Sequence, residues 1–550
     1  MKLVIVGGVA GGASAAARAR RLSEDAEIVL LERGPDVSFA NCGLPYHIGG
    51  TIVDRNKLLV VTPQLLRERL NLDVRTRSSV ESIDRAAKTV KIRELETGRE
   101  YEEPYDKLIL APGAAPLKPP IPGINLPGIY TLRNLQDMDR IKAAVDSGIE
   151  SAVVVGAGFI GLELVENLIQ KGIQTTLIEL QDQVLPPMDK EMTTPLVQLL
   201  REKGVELHLG DSAEAFEQPD SGEGLMVRLK SGKEITTRMV SLGIGVRPEN
   251  QLAVDAGLEV GPRGGIRVNE SLQTSDPDIY AVGDAIEVTD FVLDMPTQVP
   301  LAGPANRQGR IAADNVFGRS STFRGTQGTA ILGLFGHTAA MTGSSEKILK
   351  RFERPYRAVF IHPGNHAGYY PGAEQMTLKL LFDPETGKIL GAQGIGGDGV
   401  DKRIDVLAMA IQAGMTVYDL EEVELAYAPQ FGSAKDPVNM LGFVAAGLMR
   451  GDHPQIDVAA FLAMDEGDRP LVLDVRTPEE FDRGHIPGAV NISVNELRSR
   501  LDDVPKDREI VTYCQVGQRG YLATRILMQR GYKVKNLSGG FEAFTLWDES

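Results

Sequence analysis

The chain has 550 residues, 42% of them hydrophobic and 24% charged, and its formal net charge at pH 7 is −16. This length exceeds the roughly 250–300 residues at which a single core stops growing, so several globular domains are expected. The negative charge argues against a general nucleic-acid binder. The first predicted strand begins at Lys2, and no apolar run approaches the ~20 residues that span a bilayer. We therefore expect no signal peptide, no membrane partner and a cytoplasmic location.

The two cysteines, Cys42 and Cys514, are the only ones in the sequence. Two cysteines are too few for a structural disulfide framework. Each stands in a glycine-rich setting, which favours two separate reactive sites. Two buried, inert thiols are the alternative.

The N-terminal segment has the order of elements that is typical of a dinucleotide-binding fold. Val9 stands where the fingerprint G-x-G-x-x-G has its middle glycine, whereas the turn glycine Gly7 and the helix-packing Gly12 are kept. With Glu32, these glycines are the expected nucleotide-binding residues. The predicted elements are a buried strand at 1–6, a turn at 7–12, a helix at 13–22 and a strand at 27–31 that ends at Glu32.

A second copy of this pattern begins at residue 151. A strand at 151–155 precedes a full fingerprint with Gly156, Gly158 and Gly161, and a strand at 175–178 precedes Glu179. Two such folds imply two nucleotides, conventionally FAD in the first and NAD(P)H in the second, with helix N-termini facing the pyrophosphates. Glu179 is expected to bind a ribose and to repel a 2′-phosphate, which favours NADH over NADPH. A solvated strand-end carboxylate is the alternative.

Two connecting segments carry a family resemblance. Residues 111–113 (Ala-Pro-Gly) follow a strand at 107–110, and residues 274–284 have the form T-x6-A-x-G-D. The second segment resembles the second FAD-binding segment of the pyridine nucleotide–disulfide oxidoreductases. The resemblance implies that Asp284 contacts the ribityl chain of the flavin. It also implies further cofactor-binding residues, namely Arg33, Ala111, Gly113, Gly245 and Gly283.

Cys42 lies just after the first nucleotide unit. Members of this family often carry C-x4-C here, but His47 holds the second position, which excludes an intramolecular disulfide. The segment resembles the single-cysteine branch, which comprises coenzyme A disulfide reductases, NADH oxidases and NADH peroxidases. In the oxidases and peroxidases a histidine occupies the position of Ala10. Peroxide is therefore a poor candidate for the main substrate.

Coenzyme A is the favoured substrate for this half. Arg18 and Arg21 are three positions apart on the helix after the FAD turn, so they share a face that fits the phosphates of a CoA nucleotide. A solvated basic face is the alternative. The resemblance adds further expected CoA contacts, namely Ser38, Asn41, Asn306, His366 and Lys435.

Two tyrosine-containing segments, 362–370 and 426–429, resemble family segments that reach the catalytic cysteine across a homodimer. The resemblance implies catalytic roles for Tyr369 and Tyr427, with Tyr370 as a rival for the first. A tyrosine hydroxyl can protonate a departing thiolate.

The C-terminal segment carries the second cysteine. A strand at 471–473 precedes Asp474, a strand at 510–513 leads to Cys514, and a C-x4-R loop ends at Arg519, where a helix begins. This whole segment resembles a single rhodanese domain. Successive N–H groups and the helix start form an anion cradle that stabilises a thiolate or persulfide at Cys514, and Arg519 adds positive charge. A phosphatase loop, C-x5-R, is one residue longer, so the loop favours sulfur over phosphate. A catalytically silent docking domain stays open.

The expected fold class is α/β, with two Rossmann-like dinucleotide-binding domains and an α+β dimerisation domain, followed by the rhodanese α/β domain. The expected boundaries are 1–110 and 246–324 for the two parts of the FAD-binding domain, 111–245 for the NAD(P)H-binding domain, 325–446 for the dimerisation domain, 447–455 for a linker and 456–550 for the rhodanese domain.

Both halves are expected to act on S–S bonds, each with one exposed cysteine. We expect an FAD-dependent, NADH-driven reductase of CoA disulfide, CoA persulfide or polysulfide that forms a mixed disulfide on Cys42. We expect CoA to be a substrate or a tightly bound cofactor. NADPH is a possible reductant besides NADH, and no metal is expected. Cys514 is expected to take up sulfane sulfur and pass it to CoA. Two alternatives are a rhodanese-type sulfurtransferase with an accessory redox-sensing flavoprotein half, and a non-enzymatic sulfur-carrier or scaffold role for the rhodanese half.

Overall fold

The computed structural model describes residues 1–219, 222–465, 467 and 469–548. The expected rhodanese range therefore ends two residues beyond the described part. The chain divides into two compact units. Unit 1 comprises Met1–Asp182 and Lys203–Thr326, and unit 2 comprises Gln183–Glu202 and Gln327–Ser550.

The helices and strands of unit 1 occur in two stretches. Residues 1–182 hold β1 Lys2–Val6, α1 Ala10–Leu22, β2 Glu27–Leu31, α2 Leu44–Gly49, α3 Pro63–Leu70, β3 Asp73–Arg75, β4 Ser78–Asp84, β5 Thr89–Glu94, β6 Glu100–Pro104, β7 Lys107–Leu110, β8 Ala114–Pro116, β9 Ile129–Thr131, α4 Leu135–Asp146, β10 Ser151–Val155, α5 Phe159–Gln170 and β11 Gln174–Glu179. Residues 183–202, which belong to unit 2, hold α6 Lys190–Glu202. Residues 203–326 hold β12 Glu206–Leu209, β13 Ala213–Glu217, β14 Leu225–Leu229, β15 Glu234–Thr237, β16 Met239–Leu242, β17 Val246–Pro248, α7 Gln251–Asp255, β18 Ile266–Arg267, β19 Ile279–Ala281, β20 Ile286–Thr289, β21 Pro296–Thr297 and α8 Ala302–Val316.

Each predicted nucleotide fold of unit 1 is a parallel sheet. The first has the order β19-β7-β1-β2-β3 and the second the order β12-β11-β10-β16-β9. The apolar strand β1 lies inside the first sheet, paired with β2 and β7, and Leu3, Val4 and Ile5 are fully buried. Strands buried on both faces are near-continuous apolar runs, which explains the sequence of β1. Small residues let α1 pack closely on α8.

Unit 2 continues with an antiparallel sheet and its helices. Residues 327–449 hold β22 Ala330–Leu334, β23 His337–Gly343, α9 Glu346–Arg351, β24 Arg357–Ile361, β25 Met376–Phe382, β26 Ile389–Gly396, α10 Val400–Gln412, α11 Val417–Glu422 and α12 Pro437–Met449. The strand order is β22-β23-β26-β25-β24. Helix α6 packs against β26, so residues 183–202 join this layer although they lie between β11 and β12 in the sequence.

A buried lysine on this sheet forms ion pairs with residues of the segment 183–202. The Nζ atom of Lys379, on β25, lies 2.8 Å from Asp189, 2.5 Å from Glu191 and 2.9 Å from Glu346. The three carboxylates lie within 4.8 Å of one another, a spacing that suits a metal ion, but the Lys379 ammonium contacts all three. Burial alone would lower the pKa of Lys379. The surrounding carboxylates outweigh burial and raise it, so the ammonium stays charged.

The rhodanese segment is a parallel α/β layer within unit 2. Its elements are β27 Gln455–Ile456, α13 Val458–Leu462, β28 Leu471–Asp474, α14 Pro478–Arg483, β29 Val490–Asn491, β30 Ile510–Tyr513, α15 Gln518–Met528, β31 Val534–Leu537 and α16 Gly540–Asp548. The strand order is β27-β31-β30-β28-β29. The predicted fold class is confirmed. The linker is expected at 447–455. Residues 447–449 of this range belong to α12, and His453 is buried.

Candidate active sites

The two glycine-rich turns of unit 1 share one arrangement with the acid at the end of the following strand. Glu32 accepts hydrogen bonds from the backbone N–H of Gly8 at 2.8 Å and of Gly34 at 2.6 Å. Glu179 accepts them from Ala157 at 2.7 Å and Gln181 at 2.9 Å. Each acid therefore stands against its turn, at the edge of the sheet where a dinucleotide binds.

The turn geometry fits bound nucleotides. A Cβ atom at Gly7 would overlap the carbonyl oxygen of Ala111, and one at Gly12 would overlap that of Gly7, so both positions need glycine. The same holds at Gly156 and Gly161 of the second turn, which face the carbonyl groups of Gly243 and Gly156. Gly158, the first residue before α5, faces open space, which lets a pyrophosphate approach the helix N-terminus. Val9 holds the equivalent position before α1.

The remaining predicted flavin contacts also lie in unit 1. Asp284 stands in a short 3₁₀ helix at Gly283–Ala285, and burial raises its pKa, opposed by the positive charge of Arg133. Arg33 is exposed and pairs with Glu249 at 3.1 Å. Glu249 also pairs with Arg133 at 2.7 Å. The backbone of Ala111, Gly113 and Gly245 lies along the connections that follow β7 and precede β17.

Cys42 lies in a single 3₁₀ turn, Asn41–Gly43, directly before α2, and is exposed. Burial by the surrounding protein raises the pKa of its thiol, and the negative charges of Glu163 and Asp284 add to that shift. A backbone hydrogen bond at Cys42 lowers the pKa of the thiol, but too little to offset these effects. His47, in place of a second cysteine, is buried, and its Nδ1 lies 2.6 Å from the carbonyl oxygen of Ile52.

Glu163 on α5 is a site residue that the sequence patterns did not identify. Burial raises the pKa of its carboxyl to about 7, the hydrogen bond from Tyr46 at 3.4 Å opposes this, and Glu166 adds to it. Burial and Glu163 raise the pKa of Tyr46 to about 12. A carboxylate in the otherwise apolar run 159–165 is the sequence signal that could have identified it. Its role requires the contact of α5 with α2, which is distant in sequence.

The expected CoA contacts are distributed over both units. In unit 1, Arg18 forms an ion pair with Asp314 at 2.7 Å, whereas Arg21 is exposed. Asn306, on α8, accepts a hydrogen bond from Ser14 at 2.5 Å. The Asn41 side chain donates to the carbonyl oxygen of Arg133 at 3.1 Å, and the Ser38 backbone N–H donates to Gly8 at 2.9 Å. In unit 2, Lys435 is exposed and His366 is buried.

Unit 2 brings the two predicted tyrosines together. The hydroxyl oxygens of Tyr369 and Tyr427 are 2.8 Å apart, and the side chains are 76% and 49% exposed. This hydrogen bond raises the pKa of Tyr369. Tyr370 points elsewhere and meets the ring of His366 edge-on at a centroid distance of 5.7 Å.

Cys514 follows β30 at the start of the C-x4-R loop, as predicted, but it is buried, so the expectation of an exposed cysteine is wrong here. The N-terminus of α16 closes over the loop. The N–H of Phe541 donates to the carbonyl oxygen of Cys514 at 2.8 Å, and that of Glu542 to Gln515 at 2.9 Å. The C-x4-R pattern does not contain this helix, which explains the wrong expectation.

The positive charge of Arg519 is shared between two partners. Arg519 contacts Cys514, and it forms a bidentate pair with Glu480 at 2.6 and 2.7 Å. The Arg519 hydrogen bond lowers the pKa of Glu480 to about 2, so the carboxylate is ionised at neutral pH. Glu480 was missed, although the capping-box spacing Thr477–Glu480 was visible in the sequence.

A second arginine supports the same loop. Arg476 pairs with the buried Asp474 at 2.7 Å and donates to Gln515 at 3.1 Å. Its guanidinium also lies 4.3 Å from the ring centroid of Phe541. Arg519 at Cys514 and Arg476 at the neighbouring Gln515 give the loop two cationic side chains, which suits an anionic sulfur species.

The two glycine-rich turns and the single cysteine after the first define a nucleotide-dependent oxidoreductase, and a domain that carries the C-x4-R loop follows at its C-terminal end. Residues 1–309 match the family described as pyridine nucleotide-disulphide oxidoreductase, 332–436 its dimerisation domain and 457–546 the rhodanese-like domain. The chain belongs to the pyridine nucleotide-disulphide oxidoreductase family and is an oxidoreductase. The family implies FAD and NAD(P)H as cofactors, which the turn geometry fits.

Relatives of known structure match nearly the whole chain, and a further relative matches 81% of it. The reduced CoADR-RHD of Bacillus anthracis is 50% identical, covers 99% of this chain and 98% of its own, and superposes with a TM-score of 0.97. An NAD-dependent persulfide reductase from A. fulgidus is 39% identical, covers 99% and 100%, and has a TM-score of 0.92. The coenzyme A disulfide reductase of Staphylococcus haemolyticus is 37% identical over 81% of this chain and its own full length.

The described ranges contain no helix that combines the length and the apolar character needed to cross a membrane.

Proposed function

We propose that the chain is an FAD-dependent, NADH-driven reductase of CoA disulfide, CoA persulfide or polysulfide, and that its rhodanese domain supplies sulfane sulfur. One observation carries the proposal. The chain has two cysteines, and they stand at two different sites that suit sulfur chemistry, Cys42 beside the first nucleotide turn and Cys514 in the C-x4-R loop. The names of the relatives from staphylococci and A. fulgidus support both substrate classes.

Cys42 carries the reduction in this proposal. Its thiolate attacks one sulfur of the substrate, a mixed disulfide forms, and the other sulfur departs as a thiolate that takes a proton. With a CoA persulfide, the sulfane sulfur is transferred to Cys42 and CoA departs. Bound FAD and the nicotinamide would supply the two electrons that cleave the new S–S bond, release thiol or sulfide and restore the Cys42 thiolate.

We assign protonation of the departing thiolate to Tyr369 and Tyr427, presented across a homodimer. Their shared hydrogen bond supports Tyr369 over Tyr370, since a paired hydroxyl can replace a proton that its partner has given up. Phe431, 67% exposed, adds an apolar side chain near this segment, which suits a face that a second subunit covers. Sedimentation of the holoenzyme as a monomer at micromolar concentration would contradict the dimer.

We assign nucleotide and CoA recognition to residues with matching charge. Glu179 at the second turn favours NADH, because it would face the 2′-phosphate of NADPH. Arg21 is exposed whereas Arg18 already pairs with Asp314, so Arg21 is the stronger candidate for a CoA phosphate. We also assign CoA contacts to Asn306 and to the exposed Lys435. We further propose a cytoplasmic location, where CoA and NADH are available.

The test is NADH oxidation by the purified flavoprotein with CoA disulfide, CoA persulfide, polysulfide, peroxide and oxygen. We expect the sulfur substrates to be turned over at least about tenfold faster than peroxide or oxygen. Cys42→Ser is expected to keep flavin and hydride uptake but to lose disulfide turnover, because a hydroxyl is a poor nucleophile. Cys514→Ala is expected to spare CoA disulfide and to slow polysulfide most at low concentration. Peroxide as the best substrate would contradict the proposal.

A further inference from the structure

The turn that begins α16 is in direct contact with the cysteine loop. A Cβ atom at Gly540 would overlap the carbonyl oxygen of Cys514 and would lie 2.7 Å from the backbone nitrogen of Gly517. Together with the hydrogen bond from Phe541 to Cys514, this contact makes the Gly539–Gly540 turn the support of the C-x4-R loop. A shift of the turn therefore moves the atoms that cradle the Cys514 sulfur.

The other side of this turn rests on the dimerisation domain. A Cβ atom at Gly539 would lie 2.9 Å from the Cβ atom of Phe360 and 3.0 Å from Nε2 of His362. The φ angle of Gly539 is +71°, a conformation that favours glycine, so both the backbone and the neighbours require a residue without a side chain. The Gly539–Gly540 turn thus contacts the end of β24 directly, without an intervening side chain of its own.

The opposite end of α16 is also held within unit 2. The hydroxyl of Thr194, on α6, donates to the carbonyl oxygen of Leu546 at 3.0 Å. Since both ends of α16 contact parts of the chain outside the rhodanese segment, its position does not depend on that segment alone.

His362 is oriented toward the Gly539 turn. Its Nδ1 lies 2.9 Å from the hydroxyl of Thr377 on β25, which fixes the ring. Its Nε2 is buried and has no hydrogen-bond partner among the described residues, although it faces the Gly539 backbone. Burial lowers the pKa of His362 to about 4, and the Gly539 backbone offsets only part of that, so the ring is neutral at pH 7. A buried ring nitrogen that faces a backbone segment without a hydrogen bond of good geometry calls for an explanation.

We propose that His362 is a positioning residue for sulfur transfer at Cys514, acting from the dimerisation domain through the Gly539–Gly540 turn. The inference rests on the proposed function of the rhodanese domain and extends it, because it makes the geometry of the Cys514 loop depend on a residue outside that domain. The reaction is transfer of one sulfur atom. The Cys514 thiolate takes the outer sulfur of thiosulfate, sulfite leaves, and cyanide removes that sulfur as thiocyanate and restores the thiolate.

The experiment compares four variants of the full-length holoenzyme. His362→Ala removes the contact, His362→Gln keeps a polar group near the position of Nε2, and Thr377→Val removes the hydrogen bond that fixes the ring. His337→Ala, at an exposed histidine on β23, is the control. Three quantities are measured: kcat and KM for sulfur transfer from thiosulfate to cyanide, the rate of CoA disulfide reduction, and the emission of Trp547, the only tryptophan, which lies on α16.

We expect His362→Ala to lower kcat for sulfur transfer about three- to tenfold, the effect of losing one modest contact, with a smaller change in KM. Thr377→Val is expected to act in the same direction, His362→Gln to recover most of the rate, and His337→Ala to match the wild type. Trp547 emission is expected to shift in His362→Ala, while CoA disulfide reduction stays within about twofold.

Three results would overturn the proposal. Unchanged sulfur transfer in both His362→Ala and Thr377→Val would show that the turn does not need His362. Parallel loss of both activities would show that His362 serves the stability of unit 2 as a whole. No sulfur transfer by the wild-type chain would remove the basis of the inference and contradict the sulfur-transfer part of the proposed function as well.

Discussion

Tyr369 and Tyr427 share one hydrogen bond, 2.8 Å between hydroxyl oxygens, although 58 positions separate them in the chain. If the pair acts as one proton donor, Tyr427→Phe should lower kcat for CoA disulfide more than it raises KM, because only the hydroxyl is lost. Tyr369→Phe should do the same, and the double variant should be little slower than the slower single one. Steady-state kinetics of the four proteins tests this. Fully additive losses would show two independent roles, and Tyr370→Phe is the matched control.

Burial raises the pKa of Cys42 most, and the negative charge of Glu163 adds to that shift. The Glu163 pKa of about 7 means that this carboxyl gains negative charge as the pH rises through neutrality, and this charge opposes formation of the Cys42 thiolate. Glu163→Gln removes the charge and should lower the pKa of Cys42, so that alkylation of Cys42 begins at lower pH. Glu163→Asp keeps the charge and should shift the profile less. The measurement is the pH dependence of iodoacetamide labelling at Cys42, followed by mass spectrometry. If the labelling profile of Glu163→Gln is unshifted, the charge of Glu163 does not influence the pKa of Cys42.

The charge of Glu179 should determine the choice of nucleotide. Glu179→Gln keeps an oxygen that can accept from Ala157 but removes the negative charge that would face a 2′-phosphate. We expect the ratio of kcat/KM for NADPH to that for NADH to rise at least about tenfold, since like-charge contacts cost several kcal/mol. Glu206→Gln, on the adjacent strand β12, should leave the ratio unchanged. Equal ratios in all three proteins would exclude charge as the discriminating feature.

Lys379 should stabilise unit 2 by neutralising three carboxylates. Lys379→Met leaves Asp189, Glu191 and Glu346 without their shared ammonium, and removal of one partner from a buried ion pair costs about 3–5 kcal/mol. Lys350→Met, at a lysine that is 60% exposed and also pairs with Glu346, should cost at most about 1 kcal/mol. Urea unfolding followed by Trp547 emission measures both. Equal midpoints for the two variants would mean that the buried cluster contributes little.

The parts that the sequence predicted are those that local patterns encode. Strands β1, β10 and β30 and the glycine turns lie where apolar runs and glycines indicated, because each such motif is complete within about thirty residues. The predicted location of Cys42 and Cys514 at the ends of those motifs has the same origin. Their roles stay predictions.

The parts that escaped prediction depend on contacts between distant segments. Cys514 is buried because α16 contacts its loop. The raised pKa of Glu163 comes from burial where α5 packs against α2. Arg18 is engaged in an ion pair because Asp314 lies on α8. The hydrophobic pattern of one segment does not indicate which distant segment will pack against it. The same reason explains why residues 183–202, in a stretch expected to be nucleotide-binding, belong to unit 2.

The position of Lys379 limits which segments of such chains can be exchanged between homologues. Asp189 and Glu191 lie between two strands of one sheet in the sequence, yet their counter-charge is on β25 of another layer. A recombinant that exchanges the nucleotide module at residues 111–245 with that of a homologue splits this ionic group. We expect chimaeras to survive only where the lysine and its acids come from the same parent or are identical in both, so recombination breakpoints are constrained by charge pairing as well as by domain borders.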